Sequence, residues 1–129
     1  MPVRPGRPMQ HKVVIAVVDD DEAIRDALAG LLRAFGYQVF TYPGAQAFLE
    51  SKSPAQTHCL ISDIQMPGMS GPQLHEALRA QGWRIPVIFV TAHPEEFHTR
   101  APGVIACLPK PFPPDTLLNH IDFALNRPL

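Results

Sequence analysis

No run of apolar residues in this 129-residue chain approaches the roughly 20 needed to cross a bilayer as a helix, so no membrane contact is predicted. Charge of one sign is also missing in bulk. Eleven Lys and Arg stand against twelve Asp and Glu, a formal net charge of −1, which gives no general attraction to nucleic acid or an anionic membrane. Only two cysteines occur, Cys59 and Cys107, each inside an apolar run, and this argues against a disulfide framework or a zinc site. Buried free thiols are expected instead. His11, His58, His75, His98 and His120 are scattered without zinc-ligand spacing and read as ordinary surface or strand-end residues. The opening Met1-Pro2-Val3-Arg4-Pro5-Gly6-Arg7-Pro8 has basic residues but no apolar h-region, so no secretory signal is predicted. Residues 1–11 read as a disordered, basic, Pro-rich tail, and the expected location is the cytoplasm.

What is present is a globular composition, 46% hydrophobic and 18% charged, in a length that suits one domain. Five short apolar runs alternate with helical patterns. Val13 to Val18 is β-branched and apolar on both faces, the mark of a strand buried in a parallel sheet. Ile24, Ala27, Leu28, Leu31, Leu32 and Phe35 follow at helical spacing, with Gly36 as a stop. Further strands are predicted over Gln38 to Tyr42, His58 to Ser62, Pro86 to Val90 and Val104 to Leu108. Between them, Pro43-Gly44 opens a short helix, and Ser70 with Gln73 forms a capping-box pattern for a longer one ended by Gly82. Pro113-Pro114 starts a last helix bearing Leu117, Leu118, Ile121, Ala124 and Leu125. From Pro94 to Arg100 the pattern is poor and can make two helical turns at most. The alternation predicts an α/β fold, a single-domain, flavodoxin-like, doubly wound five-stranded parallel sheet in the order 2-1-3-4-5.

Three carboxylates fall where strands end: Asp19 and Asp20 after the first, Asp63 after the third. In that strand order the first and third strands are neighbours, so the three acids converge at the sheet's carboxyl edge. Two carboxylates ~4 Å apart repel by about 4 kcal/mol at an effective dielectric of 20. A hard divalent cation relieves that repulsion, and an all-oxygen site with room for water suits Mg²⁺. Thr91 after the fourth strand adds a hydroxyl, and Lys110 after the fifth adds an ammonium. Together they form a cradle for a phosphoryl group. Taken singly, each has a plainer reading: Asp20 or Asp21 as a helix cap, Thr91 as a turn hydroxyl, Lys110 as a solvated charge.

Four segments carry a family resemblance: Val17-Val18-Asp19-Asp20-Asp21-Glu22, Leu60 to Gly71 with its Asp63-x-x-Met66-Pro67-x-Met69-x-Gly71 pattern, Val87 to Ala92, and Leu108-Pro109-Lys110-Pro111-Phe112. Over residues 12–129 the chain resembles a response-regulator receiver domain of two-component signalling, closest to those of LuxR-type, FixJ-like regulators. The resemblance implies that Asp63 accepts a phosphoryl group from a sensor histidine kinase or phosphotransfer protein. It further implies Mg²⁺ on Asp19, Asp20, Asp63 and the backbone carbonyl of Gln65, with Thr91 and Lys110 on the phosphoryl group. The Lys110–Pro111 peptide is expected cis. Gln65 and His93 occupy positions that the family uses to tune dephosphorylation; for His93 a solvent-facing loop residue is an equal reading. A receiver is a phosphoacceptor rather than an enzyme, its chemistry limited to Mg-dependent self-phosphorylation and self-dephosphorylation. A homodimer is possible, and the output partner is left open.

Two departures from the family pattern stand out. The interval from Thr91 to Lys110 is roughly one helical turn short, and Cys107 occupies the place, three before the lysine, where an aromatic switch residue usually sits. Output is therefore expected to rely on reordering Pro94 to Gly103 rather than on an aromatic flip. Two rival readings differ in class. A haloacid-dehalogenase-like phosphatase would use Asp19 as nucleophile, but it leaves Asp63 unexplained, and Asp115 and Asp122 fall in the last helix rather than at a metal site. A docking module with phosphorylation uncoupled would suit the altered fourth-helix region but not the complete acid, Thr and Lys set. No recognition-helix pattern follows the last helix, so this chain is not expected to bind nucleic acid directly.

Overall fold

The computed structural model describes residues 13–96 and 101–126. Residues 1–12, including the predicted tail and His11, and residues 97–100, with most of the poorly patterned segment and His98, lie outside the described residues.

The chain runs β1 (Val14–Val18), α1 (Glu22–Ala34), β2 (Gln38–Tyr42), α2 (Ala45–Glu50), β3 (Cys59–Asp63), α3 (Gly71–Ala80), β4 (Val87–Thr91), β5 (Val104–Pro109) and α4 (Pro114–Asn126). Every pairing is parallel, and the sheet order is β2-β1-β3-β4-β5. This is the flavodoxin-like arrangement predicted. β3 and β4 each start and end one residue later than the apolar pattern suggests. Asp63 and Thr91 are therefore the last strand residues, held in the ladder by the Ile64 N–H to Val90 carbonyl (3.1 Å) and Lys110 N–H to Thr91 carbonyl (2.7 Å) bonds.

Helices cover both faces because β1, β3 and β4 are buried throughout. One core joins Ile15, Val17, Ile61, Ile88 and Val90 to Leu28, Ala29 and Leu32 of α1 and to Leu117, Ile121 and Ala124 of α4. The other joins Ala16, Val18, Leu60 and Phe89 to Phe48 of α2 and to Leu74 and Leu78 of α3. The buried stripe of α1 differs from its predicted face: Ala29 is buried, whereas Ala27 and Phe35 are exposed. Phe35 is the C-cap, where the chain turns away before packing against the sheet.

The β4–β5 crossover is unlike the other three, each of which carries an α-helix. Among the described residues it has a single 3₁₀ turn, Pro94–Glu96. The register slips between Val87 and Ile88, opposite Val104 and Ala106, so that Ile105 is a bulge residue. The slip puts both Ile105 and Ala106 against the first core, while Val104 and Cys107 pack against the second. Cys107 is half-buried rather than buried, because no α-helix covers this part of β5 on its side among the described residues. Both thiols are free; Cys59 belongs to the first core and Cys107 to the second, on opposite sides of the sheet. His75 also departs from expectation. It is buried on α3 rather than at the surface.

Candidate functional site

The site forms at the carboxyl ends of β1, β3, β4 and β5. Asp19 leaves β1 in a turn set by its own side chain, whose Oδ1 accepts the Asp21 N–H at 2.8 Å. Asp21 then caps α1, accepting from the N–H groups of Ala23 (2.9 Å) and Ile24 (3.2 Å). Of the three consecutive aspartates, the capping role therefore falls to Asp21. Asp19 is buried, and Asp20 is exposed at the rim.

Carboxylate oxygens of Asp19, Asp20 and Asp63 lie within 4.8 Å of one another. The convergence predicted from strand order is met. Lys110 closes the cluster, its Nζ 3.1 Å from Asp19 Oδ2 and 3.3 Å from Asp63 Oδ2. The peptide from Lys110 to Pro111 is cis, as expected. Thr91 is buried one residue beyond Val90, the register partner of Asp63, and its Oγ1 accepts the His93 N–H at 3.0 Å. His93 itself is exposed beside Glu95. Gln65 is exposed, and its backbone N–H donates to the Asp63 carboxylate.

Burial raises the pKa of Asp63; the Lys110 charge pulls it down, the Asp19 charge pushes it up, and the net direction is upward. For Lys110 burial disfavours the ammonium, but hydrogen bonding to and the charge of Asp19, then of Asp63, outweigh it and hold the pKa above the ordinary lysine value. One ammonium thus serves two carboxylates, and Asp63 is the under-compensated partner. An all-oxygen trio with one rim member open to solvent fits Mg²⁺, which tolerates few protein ligands and keeps several waters.

Three supporting residues were not read from the sequence. Arg25 Nη1 donates to the Asp19 carbonyl at 2.8 Å, tying α1 to the acid turn. Buried Ser62 donates to the Asp63 carbonyl at 2.9 Å. Gly71 starts α3 hard against the same atom: a Cβ there would come within 2.4 Å of the Asp63 carbonyl oxygen. The spacing of Gly71 from Asp63 in the sequence pattern has its physical reason in this contact.

Residues 15–122 match the family described as response regulator receiver domain. The chain belongs to the response regulator receiver family. Its curated relatives include the transcriptional regulatory protein FixJ of Bradyrhizobium diazoefficiens, 35% identical over 122 residues, covering 92% of this chain and 60% of that protein. Among solved structures, the response regulator StyR superposes with a TM-score of 0.83 at 44% identity, covering 88% of this chain and 59% of that one. The chemotaxis response regulator CheY4 of Vibrio cholerae does so with a TM-score of 0.77 at 30% identity, covering 88% and 98%. The chain spans 60% of the length of FixJ and 52% of that of the response regulator protein TmoT of Ectopseudomonas mendocina. Membership in the receiver family makes this a phosphoacceptor signalling domain of two-component systems and displaces the phosphatase reading. No helix among the described residues is long and apolar enough to cross a membrane.

Proposed function

We propose that Asp63 is the phosphoacceptor, taking a phosphoryl group from a phosphohistidine of a sensor kinase or phosphotransfer protein. The observation that carries this reading is the shared lysine: Lys110 lies between Asp19 and Asp63, at the edge where all four strand ends meet. In the transfer, the N–P bond of the donor breaks as an Asp63 Oδ–P bond forms, and the freed imidazole leaves with the electron pair. Lys110 would follow the new negative charge, and the Thr91 hydroxyl would donate to a phosphoryl oxygen. Asp19, Asp20, Asp63 and the Gln65 carbonyl would hold Mg²⁺, which when bound offsets charge on the phosphoryl oxygens. Asp19 is restrained for that task by the Asp21 N–H and, through its carbonyl, by Arg25.

The raised pKa of Asp63 suits a nucleophile whose anion is poorly compensated until metal and donor arrive. Self-phosphorylation and self-dephosphorylation would be its whole chemistry, with no turnover of a separate substrate. Residues 12–129 would act as one unit in the cytoplasm, where kinases of this type hold their phosphohistidine. Relatives named as transcriptional regulators support an output in gene control through a partner module rather than through direct DNA contact by this domain. With Cys107 at the β5 position and, among the described residues, a single 3₁₀ turn before it, the signal would travel through the β4–β5 crossover.

The test is incubation with acetyl or carbamoyl phosphate and Mg²⁺, followed by intact mass. One phosphoryl group should add to the wild type and none to Asp63→Asn. Unchanged labelling of the Asn variant would move the acceptor elsewhere, Asp19 first.

A further inference from the structure

Outside the acid cluster, His75 is a buried titratable side chain without a role in phosphotransfer. It sits on α3 with its Nε2 2.9 Å from the Pro102 carbonyl oxygen. A carbonyl only accepts, so the neutral ring carries its proton on Nε2. The ring meets Phe89 of β4 edge-on, with centroids 6.3 Å apart and planes at 89°. It also touches the turn before β5: a Cβ on Gly103, whose φ is +91°, would come 3.2 Å from His75 Cε1. Backbone bonds also hold that turn, among them Val87 N–H to the Gly103 carbonyl (2.9 Å) and Val104 N–H to the Ala101 carbonyl (3.2 Å). Phe89 in turn lies against Gly71, the residue packed on the Asp63 carbonyl. The imidazole, the aromatic ring and the end of the acceptor strand are contiguous.

We propose that His75 is a titratable latch: uncharged, it holds the Ala101–Gly103 turn against α3, and gaining a proton releases that turn. Among the described residues, three groups face the ring. β4 presents the apolar edge of Phe89, the turn presents the Pro102 carbonyl, and α3 itself presents Arg79, whose positive charge opposes a second one nearby. Burial disfavours the imidazolium most, the Pro102 carbonyl works the other way, and Arg79 adds to the burial effect. A protonated ring gains by swinging into water, and the turn then loses its side-chain bond to α3. The half-buried Val104 and Cys107, on the same side of β5, are the apolar surface that such a release uncovers. The latch does not depend on Asp63 being phosphorylated, so it is tested without donor or Mg²⁺.

The experiment follows the His75 imidazole by NMR from pH 8 to pH 5 in the whole chain. Alongside it, hydrogen exchange at the Val87 and Val104 amides is corrected for intrinsic rates. His75 should titrate below the ordinary histidine value of about 6.5. Between about pH 6.5 and the His75 midpoint the open-to-closed ratio at both amides should rise by up to about tenfold per pH unit, the limit one proton sets, and level off below that midpoint. His75→Gln, whose amide can still donate to Pro102 but does not titrate, should keep the turn protected at neutral pH and lose the pH dependence. Exchange at Val87 and Val104 that ignores the His75 titration overturns the proposal, as does the same pH dependence in His75→Gln. Should that variant not fold, the wild-type profile decides: a ratio that rises below about pH 6.5 and levels off at the His75 midpoint supports the latch, and one that keeps rising through that midpoint or never rises overturns it.

Discussion

Alanine in place of glycine should have opposite signs at two helical positions of this domain. At Gly71, the first residue of α3, the new Cβ would lie 2.4 Å from the Asp63 carbonyl oxygen and 3.0 Å from Phe89 Cε1. The first of these is backbone, fixed by the β3 ladder, and cannot swing aside. Overpacking of this kind costs about 1–3 kcal/mol, and an immovable neighbour puts Gly71→Ala in the upper half. Better helix propensity returns less than about 1 kcal/mol, and less still at the first helical position. The net loss is about 2 kcal/mol. At Gly30, inside α1 and exposed, a Cβ would meet nothing within 4 Å. Gly30→Ala should therefore stabilise by about 0.5–1 kcal/mol. In urea, with an m-value of about 2 kcal/mol/M, the midpoint should fall by about 1 M for the first and rise by about 0.3–0.5 M for the second. Gly71→Ala should also slow labelling by acetyl phosphate, because α3 is pushed off the acceptor strand. A midpoint for Gly71→Ala at or above that of wild type would refute the reasoning.

Asp63→Asn should be more stable than wild type at pH 7 without metal. A carboxyl whose pKa is raised in the folded state binds more protons folded than unfolded, so stability falls as pH rises from about 3.8 through the folded value, and the deficit persists at neutral pH. The gap should close as pH drops towards 3.8, and an Asn variant less stable than wild type at pH 7 would contradict it. Asp20→Ala should weaken Mg²⁺ binding while changing stability by no more than about 0.5 kcal/mol, since Asp20 stands exposed at the rim of the proposed metal site; an unchanged metal titration would remove it from the site. Burial pushes the Cys59 thiol up to about 12, leaving about one part in ten thousand as thiolate at pH 8. A thiol reagent should therefore label Cys107 in the native protein and Cys59 only after unfolding, and Cys107→Ser should abolish native labelling.

The sheet order and the acid trio were legible because each rests on short-range chemistry: apolar runs of strand length, and polar residues stacked at their ends. The Ser70–Gln73 capping box forms as read, with Ser70 Oγ accepting the Gln73 N–H and the Gln73 side chain accepting the Ser70 N–H. The α1 face differs from the expected one at Ala27 and Phe35, the former because alanine marks a face weakly. Ala27 and Ala29 look alike in a pattern, and the approach of α1 to the sheet chooses between them. His75 carried a signal that was passed over. Gly71, Leu74, His75 and Leu78 are spaced i, i+3, i+4, i+7, the inward stripe of α3, and all four are buried. A polar residue on such a stripe needs a partner, and Pro102 supplies it. The bulge at Ile105 and the bond from Arg25 to the Asp19 carbonyl had no such mark. Both depend on backbone groups, which every residue possesses.

The charge arrangement also indicates which way a phosphoryl signal would leave. Asp19 is held at three points, by Lys110, by the Asp21 N–H and through its carbonyl by Arg25, so it is the fixed side of the cluster. The Asp63 backbone is equally fixed, packed under Gly71 and bonded to Ser62. Phosphorylation would add up to two negative charges at the Asp63 carboxyl, and the group free to answer is Lys110, shared between two anions and partly open to solvent. Its backbone N–H is bonded to the Thr91 carbonyl, and the Thr91 hydroxyl accepts the His93 N–H at the start of the β4–β5 crossover. A lysine drawn towards Asp63, and a threonine turned to donate to the phosphoryl group, would both strain this second set of bonds before the first. Across the sheet Cys107, paired with Phe89, offers a small side chain instead of a large rotor. The displacement would therefore be taken up in the crossover backbone, at His93 and the Ala101–Gly103 turn, and α1 would stay in place.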